Sequence, residues 1–451
     1  MFVDQYYLEC LSQASYLVGD QVAGEAIVID PRRDIQDYLD GARRRGVRIT
    51  GVVNTHFHAD FVAGHLELRQ ATGAWIAYGQ RAETEYPIRR LRTGDRITVG
   101  ATILEVRETP GHTWESISLV AYAGTDPRPR AVFTGDTLFV GDVGRPDLAA
   151  AVGANPVELA HEQFNSVHNV LMTLPDEVVV HPGHGAGSAC GKNLSADLQS
   201  TIGRQRHTNV AVRETNEDRF VARLLTGQPA IPRYFAVDAV LNRRERTVLD
   251  TPPAPPGLPA RRLRELVKAG ARVVDARSPE EFAEGHLQGS VNVGVDGRFA
   301  ETAGMVFDPA DHLVIVAPPG RENEVALRLA RIGLDNVAGY LARDFTGLSD
   351  LVRPGFRIGP QDVAGRLPRI TVVDVRNPGE RAAGYIAGSL PIPLAELGRR
   401  MDEIPDDRTV LVHCAGGWRS SVAASMLRAA GRTDVLDLDG GYDAWKRAGA
   451  A

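Results

Sequence analysis

Cysteine is scarce in this 451-residue chain: Cys10, Cys190 and Cys414 lie far apart and form no disulfide framework, which suits a reducing cytoplasm. Lysine is equally scarce, with Lys192, Lys268 and Lys446 the only ones, so the basic residues are almost all arginine, a bias of codon usage rather than of function. A formal net charge of −6 leaves no basic surplus and argues against a nucleic-acid or anionic-membrane partner. No apolar run approaches the length of a membrane span. Asp4 and Glu9 interrupt the N-terminus, where a basic start and apolar core would mark a signal peptide, so a cytoplasmic location is expected. What is present is ordinary for soluble globular protein, 43% hydrophobic and 24% charged residues, at a length that allows two to four domains.

The first half is organised around Thr55-His56-Phe57-His58-Ala59-Asp60. This stretch follows the β-branched run Ile49–Val53, a buried strand by pattern, and precedes Phe61–Leu68, which has helical spacing. Two imidazoles and a carboxylate at alternate positions past a strand end reach one small volume and offer the ligand mixture of Zn, Fe or Mn sites. Around it the pattern predicts strands near residues 6–11, 14–18, 25–29, 101–107, 116–122, 131–133 and 177–180, a turn at Gly19-Asp20, and a helix over 34–45. Three further strand ends carry polar clusters: Thr109-Pro110-Gly111-His112, Thr134-Gly135-Asp136 and His181-Pro182-Gly183-His184.

These four motifs, in this order, resemble those of the metallo-β-lactamase superfamily over roughly residues 1–250. The resemblance implies an αβ/βα sandwich with the metal at one edge, between the two sheets. Binuclear members have a histidine directly after the aspartate of the first motif, where this chain has Phe61, which cannot ligate. The resemblance therefore implies one metal, held by His56, His112 and Asp136, with His58, Asp60 and His184 left as supporting groups or as a vacant second-metal site. Two histidines and one carboxylate is the facial set of non-haem Fe(II) oxygenases. The segments Asp136–Asp147 and Pro182–Gly191 resemble persulfide dioxygenases of the superfamily. Arg145 either holds an anionic substrate group or pairs with Asp142 or Asp147. Cys190 either borders the pocket or is a small buried thiol.

The proline-rich segment Thr251–Pro259 reads as a semi-rigid linker and a domain boundary. Beyond it the chain repeats itself: Val273-Val-Asp-Ala-Arg-Ser-Pro-Glu-Glu returns as Val372-Val-Asp-Val-Arg-Asn-Pro-Gly-Glu. Each copy continues with a second apolar strand (313–316 and 410–412) and a helix, which predicts a small parallel α/β domain present twice. In the second copy Cys414-Ala415-Gly416-Gly417-Trp418-Arg419 lies between strand and helix, so loop N–H groups and the helix N-terminus converge on the sulfur. Cys-x4-Arg is tighter than the Cys-x5-Arg spacing of phosphatases and suits a sulfur better than a phosphate. Both copies resemble rhodanese domains. In the first, Ala317 stands at the cysteine position, Pro318 and Pro319 remove donors, and Glu322 stands where the second copy has Arg419. That copy reads as inactive: a spacer, or a surface for docking or homo-oligomerisation.

The expected organisation is thus α/β and α+β multidomain: a metallo-β-lactamase-fold dioxygenase domain over 1–250, an inactive rhodanese-like domain over 258–352, and an active rhodanese over 358–451 with Cys414 and Arg419 as catalytic residues. The resemblance implies oxidation of a low-molecular-weight thiol persulfide by O2 to sulfite and thiol with one Fe(II) per chain. It also implies exchange of sulfane sulfur with thiosulfate or sulfite through a Cys414 persulfide. The alternatives are a glyoxalase-II-type binuclear thioester hydrolase, against which Phe61 counts, and a non-catalytic sulfur carrier or sensor.

Overall fold

The computed structural model describes residues 1–228, 230–249 and 254–449. The chain divides into two compact units, one of Met1–Gln228, Tyr234–Thr251 and Arg331–Gly333, the other of Pro229–Arg233, Pro252–Ala330 and Leu334–Ala451. Of the expected linker, residues 251–253 lie outside the described residues, as do the last two residues of the expected third domain.

The first unit is built on twelve strands: β1 (Phe2–Leu8), β2 (Gln13–Asp20), β3 (Glu25–Ile29), β4 (Arg48–Val53), β5 (Trp75–Gly79), β6 (Arg89–Leu91), β7 (Arg96–Val99), β8 (Thr102–Glu108), β9 (Ile117–Ala123), β10 (Ala131–Gly135), β11 (Val179–Pro182) and β12 (Ser200–Thr201). One sheet runs in the order β1-β2-β3-β4-β5-β6 and the other β12-β11-β10-β9-β8-β7. Strands buried on both faces read as continuous apolar runs, and their alternation assigns the faces. Tyr16, Val18, Ile27, Ile29 and Val53 point into a core shared with Leu104, Leu119, Ala121 and Phe133 of the facing sheet. Their neighbours Leu17, Ala26, Val28 and Val52 pack outward under the helix Gln36–Arg45, and Val120 and Val132 pack outward on the other side. That is an αβ/βα sandwich. Each large apolar side chain so buried contributes roughly 1.5–3 kcal/mol.

Some boundaries differ from the sequence pattern. The turn between β2 and β3 falls after Asp20, ending at Gly24 in the left-handed region (φ 67°). The helix expected from Phe61 begins at His65 and runs to Thr72. Residues 61–64 form a turn instead, for a reason given below.

The second unit holds two five-stranded sheets, with β13 (Gly257–Leu258), β14 (Arg272–Asp275), β15 (His286–Leu287), β16 (Val291–Asn292), β17 (Leu313–Val316), β18 (Val337–Leu341), β19 (Val352–Arg353), β20 (Arg357–Ile358), β21 (Ile370–Asp374), β22 (Leu390–Pro391), β23 (Thr409–His413) and β24 (Val435–Leu438). The orders β13-β18-β17-β14-β16 and β20-β24-β23-β21-β22 are the same topology twice, all parallel, while β15 and β19 form a separate antiparallel pair. The repeated Asp-x-Arg closes on itself in both copies: Arg277 forks onto Asp275 and Arg376 onto Asp374, each with Nε donating at 2.9 Å. Each following helix opens with a capping box, Ser278 with Glu281 and Asn377 with Glu380. The copies contact each other: Ser421 Oγ donates to Asn292 Oδ1 at 2.6 Å, and the Asn292 N–H donates to Ser425 Oγ at 2.9 Å. Among the described residues no helix is long and apolar enough to cross a membrane.

Candidate metal centre and sulfur loop

His56 follows β4, His112 follows β8, Asp136 follows β10 and His184 follows β11, so both sheets deliver side chains to one edge of the sandwich. The loops meet without room for side chains on their glycines. A Cβ at Gly135, which sits at φ +48°, would lie 2.4 Å from Thr55 Oγ1, and one at Gly183 would lie 2.5 Å from Asp136 Oδ1.

One ligand atom each from His56, His112 and Asp136 falls in a single group with every pair within 4.8 Å. Asp136 Oδ2 is 3.5 Å from His112 Nε2 and 3.8 Å from His56 Nε2, and it is buried without a hydrogen-bond partner among the described residues. The hydrogen bonds on the far side of each ring fix its tautomer. The Thr55 hydroxyl donates to Asp30 Oδ2 at 2.8 Å, so at 2.9 Å it accepts from Nδ1–H of His56. His112 Nδ1 is 2.8 Å from the Arg145 carbonyl, which only accepts, so that nitrogen carries its proton too. Both Nε2 lone pairs therefore face Asp136 Oδ2. Burial, and then the neighbouring His58, hold His56 neutral, well below the usual imidazole range. Against the cost of burial, the charged His184 holds Asp136 ionised, far below the usual carboxylate range. Two neutral imidazoles and one carboxylate, each with outer hydrogen bonds made and inner lone pairs free, fit a divalent iron or zinc ion.

The other expected residues take different places. His58 gives Nε2 to Asp30 Oδ1 at 3.0 Å and lies beside His56, ring centroids 4.2 Å apart and planes tilted by 57°. His184 bridges two carboxylates, Nδ1 to Asp136 Oδ1 and Nε2 to Asp60 Oδ2, both at 2.8 Å. Burial opposes its charge, but Asp136 and Asp60 raise its pKa well above the ordinary value. Phe61 is buried against His58. Of the two roles open to Arg145, the geometry satisfies the ion pair: it forks onto Asp147 at 2.7 and 2.6 Å, gives Nη1 to the Ala189 carbonyl at 3.3 Å, and is 1% exposed. Cys190 joins Asp60 and His184 in a second buried group within the same 4.8 Å limit. Burial, then Asp60 and Asp136, push its thiol well up.

The residues that hold this site in place were not apparent in its motifs. Asp30, at φ 52°, takes the Thr55 N–H and hydroxyl as well as His58, yet in the sequence it reads only as a turn before Pro31. Asn242 gives Nδ2 to the carbonyls of His58 and Phe61, both at 2.8 Å, and takes the Ala63 N–H at 2.8 Å. Together with the Gly64 N–H, which donates to the Pro31 carbonyl at 2.7 Å, these contacts engage the backbone of residues 61–64 outside the helix. Nothing local signals a clamp so distant in the chain.

In the second unit the Gly417 N–H donates to Cys414 Sγ at 3.1 Å, with Gly417 at φ 97°, and the helix Trp418–Ala429 starts directly behind. The Ala415 and Cys414 carbonyls point away, to the N–H groups of Asp443 and Tyr442. Arg419 forks onto Glu380 at 2.8 and 2.6 Å. In the first copy the Gly320 N–H is taken at 3.1 Å by Glu322 itself. The loop with Ala317 thus consumes its own donor.

Comparison with known proteins agrees with this division. The metallo-beta-lactamase superfamily model matches residues 8–184, and the rhodanese-like domain model matches 259–350 and 360–448. A solved structure described as a metallo-beta-lactamase from Staphylococcus aureus is 34% identical, with a TM-score of 0.68 over 75% of this chain and 98% of that one. The chain belongs to the metallo-beta-lactamase superfamily and carries two rhodanese-like domains. Two curated relatives of this superfamily protein differ in activity. A hydroxyacylglutathione hydrolase from Polaromonas sp. is 36% identical over 176 residues, 38% of this chain and 61% of the relative. The persulfide dioxygenase ETHE1, mitochondrial, of Homo sapiens is 28% identical over 245 residues, 53% and 86%. The match thus spans under two thirds of the hydrolase's length and most of the dioxygenase's.

Proposed function

We propose that this superfamily protein oxidises a low-molecular-weight persulfide with O2 at a mononuclear iron site and transfers sulfane sulfur through Cys414. The observation that carries the reading is the buried His56–His112–Asp136 group, with Phe61 at the position where a second-metal histidine would stand. Ferrous iron held by these three residues would supply the redox chemistry through which dioxygen reacts with a persulfide sulfur. The chain's own residues do the rest. Thr55 and the Arg145 carbonyl hold the two imidazoles in the tautomer that presents Nε2. Asp136, kept ionised by His184, balances cationic charge in a buried site. In the net reaction the outer sulfur gains two oxygen atoms from O2 and one from water and leaves as sulfite. The inner sulfur leaves as the thiol. In the rhodanese domain the Cys414 thiolate attacks the outer sulfur of thiosulfate, sulfite departs with the electrons of the broken S–S bond, and the Gly417 N–H faces the resulting persulfide.

A second reading has its own observation. Asp60, His184 and Cys190 form another buried group, and the hydrolase relative is the more identical of the two, which together favour a binuclear thioester hydrolase. Metal analysis of the purified chain, followed by oxygen uptake with glutathione and coenzyme A persulfides and hydrolysis of S-lactoylglutathione, separates the readings. About one iron per chain with persulfide-dependent uptake is expected. Two metals with thioester hydrolysis and no uptake overturn the proposal.

A further inference from the structure

The copy without a cysteine meets the sulfur loop of the copy that has one, at positions where the duplicated sequences diverge. Asn292 and Gly294 stand where the second copy has Pro391 and Pro393, which offer neither a backbone N–H nor a polar side chain. The Asn292 amide is fixed within its own copy: Nδ2 donates to the Asp275 and Arg277 carbonyls at 3.1 and 2.9 Å, and both only accept, so Oδ1 faces away from them. There it takes the Ser421 hydroxyl. The Asn292 N–H goes to Ser425, whose own hydroxyl donates to the Val422 carbonyl at 2.8 Å. Ser421 and Ser425 are one turn apart on the helix Trp418–Ala429, and all three side chains are buried. The matching helix of the first copy has Glu324 and Arg328 at those places, paired with each other at 2.9 Å. A buried polar network with every member satisfied fixes one arrangement, where apolar packing alone tolerates sliding.

Two further contacts reach the loop itself. A Cβ at Gly294 would lie 2.9 Å from Trp418 Nε1, so the half-buried indole occupies the space a side chain would take. Glu280 of the first copy pairs with Arg357 of β20, which also holds Asp439 at 2.7 Å and brings Nε within 3.4 Å of the buried Asp437. A Cβ at Gly417 would lie 3.2 Å from Arg357 Nη2. Trp418 opens the helix, Gly417 caps it, and the Gly417 N–H donates to Cys414 Sγ at 3.1 Å.

We propose that the first copy positions the sulfur loop of the second, with Asn292 and Gly294 as positioning residues that keep the Gly417 N–H aimed at the Cys414 sulfur. A hydrogen bond donated to the sulfur favours the thiolate over the thiol, so a helix released from Asn292, or pushed through Trp418, leaves less thiolate at a given pH. The role rests on the proposed use of Cys414 as a thiolate in sulfur transfer, but alkylation of Cys414 reads it without the transfer itself.

The test is the rate of Cys414 alkylation by iodoacetamide in the full chain, read by peptide mass spectrometry from about pH 5 to 9, since only the thiolate reacts. Wild type is compared with Asn292→Ala, Ser421→Ala, the two combined, and Gly294→Ala, at a temperature where melting profiles show every chain folded. At pH 7 the Asn292→Ala and Gly294→Ala chains should react about ten-fold more slowly, with their pH–rate curves displaced to higher pH by roughly one unit. Ser421→Ala should match Asn292→Ala, and the combined chain should be no slower than either, as two residues acting through one hydrogen bond require. Curves for Asn292→Ala and Gly294→Ala that superimpose on wild type would overturn the proposal whether or not melting changes, and leave the contact a matter of stability alone. A slower reaction with the curve in place would overturn it equally, because access to the sulfur rather than its ionisation would have changed. So would effects that multiply in the combined chain, since Asn292 would then act by another route. Thiosulfate-to-thiol sulfur transfer, measured alongside, tests the separate assignment of Cys414: absence of transfer in a wild-type chain with the expected alkylation pattern refutes that assignment alone.

Discussion

The ring of Phe61 lies against the imidazole of His58, centroids 4.3 Å apart and planes tilted by 33°. An apolar ring thus closes the side of the site where a further nitrogen would serve a second metal. Phe61→His should therefore raise the metal content of a chain reconstituted with excess zinc from about one toward two per chain, with Asp60 and His184 as partners. Elemental analysis reads this directly. If stoichiometry stays at one, Phe61 is not what keeps the site mononuclear.

His112 is one of three side chains in the proposed iron group, so His112→Ala should drop bound iron well below one per chain and abolish persulfide-dependent oxygen uptake. Thr55→Val keeps all three ligands but removes the hydroxyl that sets the His56 tautomer. Supporting hydrogen bonds of this kind are worth roughly 10–100-fold in metal affinity, so competition with a chelator should show a loss of that size. Near-normal iron in His112→Ala would mean the ligand set is wrong.

How much of this could be read from the chain depends on how far each signal reaches. β3 coincides with the expected Glu25–Ile29 because a strand buried on both faces is a continuous apolar run between turn residues. The internal duplication was legible through Asp-x-Arg and the Pro-x-Glu helix starts, since both motifs are satisfied within a few residues. The start of the helix after Asp60 was not, because Asn242 and Pro31, both distant in the chain, engage the backbone groups before it. Asp437 was hidden for another reason. Val-Leu-Asp-Leu-Asp alternates as a half-exposed strand would, and only the helix laid over that face by the fold turns Asp437 into a buried group. Arg145 shows the converse, where a conspicuous arginine is accounted for by its ion pair with Asp147.

His181 should contribute to acid sensitivity. It sits between Phe133, stacked at 5.0 Å, and the edge of Tyr16, with Nδ1 lacking a hydrogen-bond partner among the described residues, and burial alone lowers it to about 4 from an ordinary 6.5. Between those values the unfolded chain binds more protons than the folded one, so stability rises with pH across the window. The contribution is complete above about pH 6.5 and lost progressively down to about pH 4, amounting to about 3 kcal/mol at most for this one group. Urea unfolding of His181→Leu against wild type at pH 7 and pH 4.5 should show the variant gaining relative to wild type at the lower pH. An equal difference at both pH values would mean that His181 is protonated in the folded chain.

The two proposed chemistries need different side chains. Sulfur transfer requires a nucleophile that becomes a persulfide, and the rhodanese-like copies offer one at Cys414, since the matching position of the first copy is Ala317. Oxygen chemistry requires the ligand group of the other unit. Cys414→Ser should therefore abolish transfer from thiosulfate to an acceptor thiol while leaving oxygen uptake on a directly supplied persulfide within about two-fold of wild type. Serine is close in size and keeps an acceptor for the Gly417 N–H, so the loop should persist, but it ionises far less readily and holds no sulfane sulfur. Parallel assays of one preparation read both activities. Surviving transfer would point to Cys190 as the carrier. Lost uptake would mean that Cys414 delivers the persulfide to the metal centre as an obligatory step.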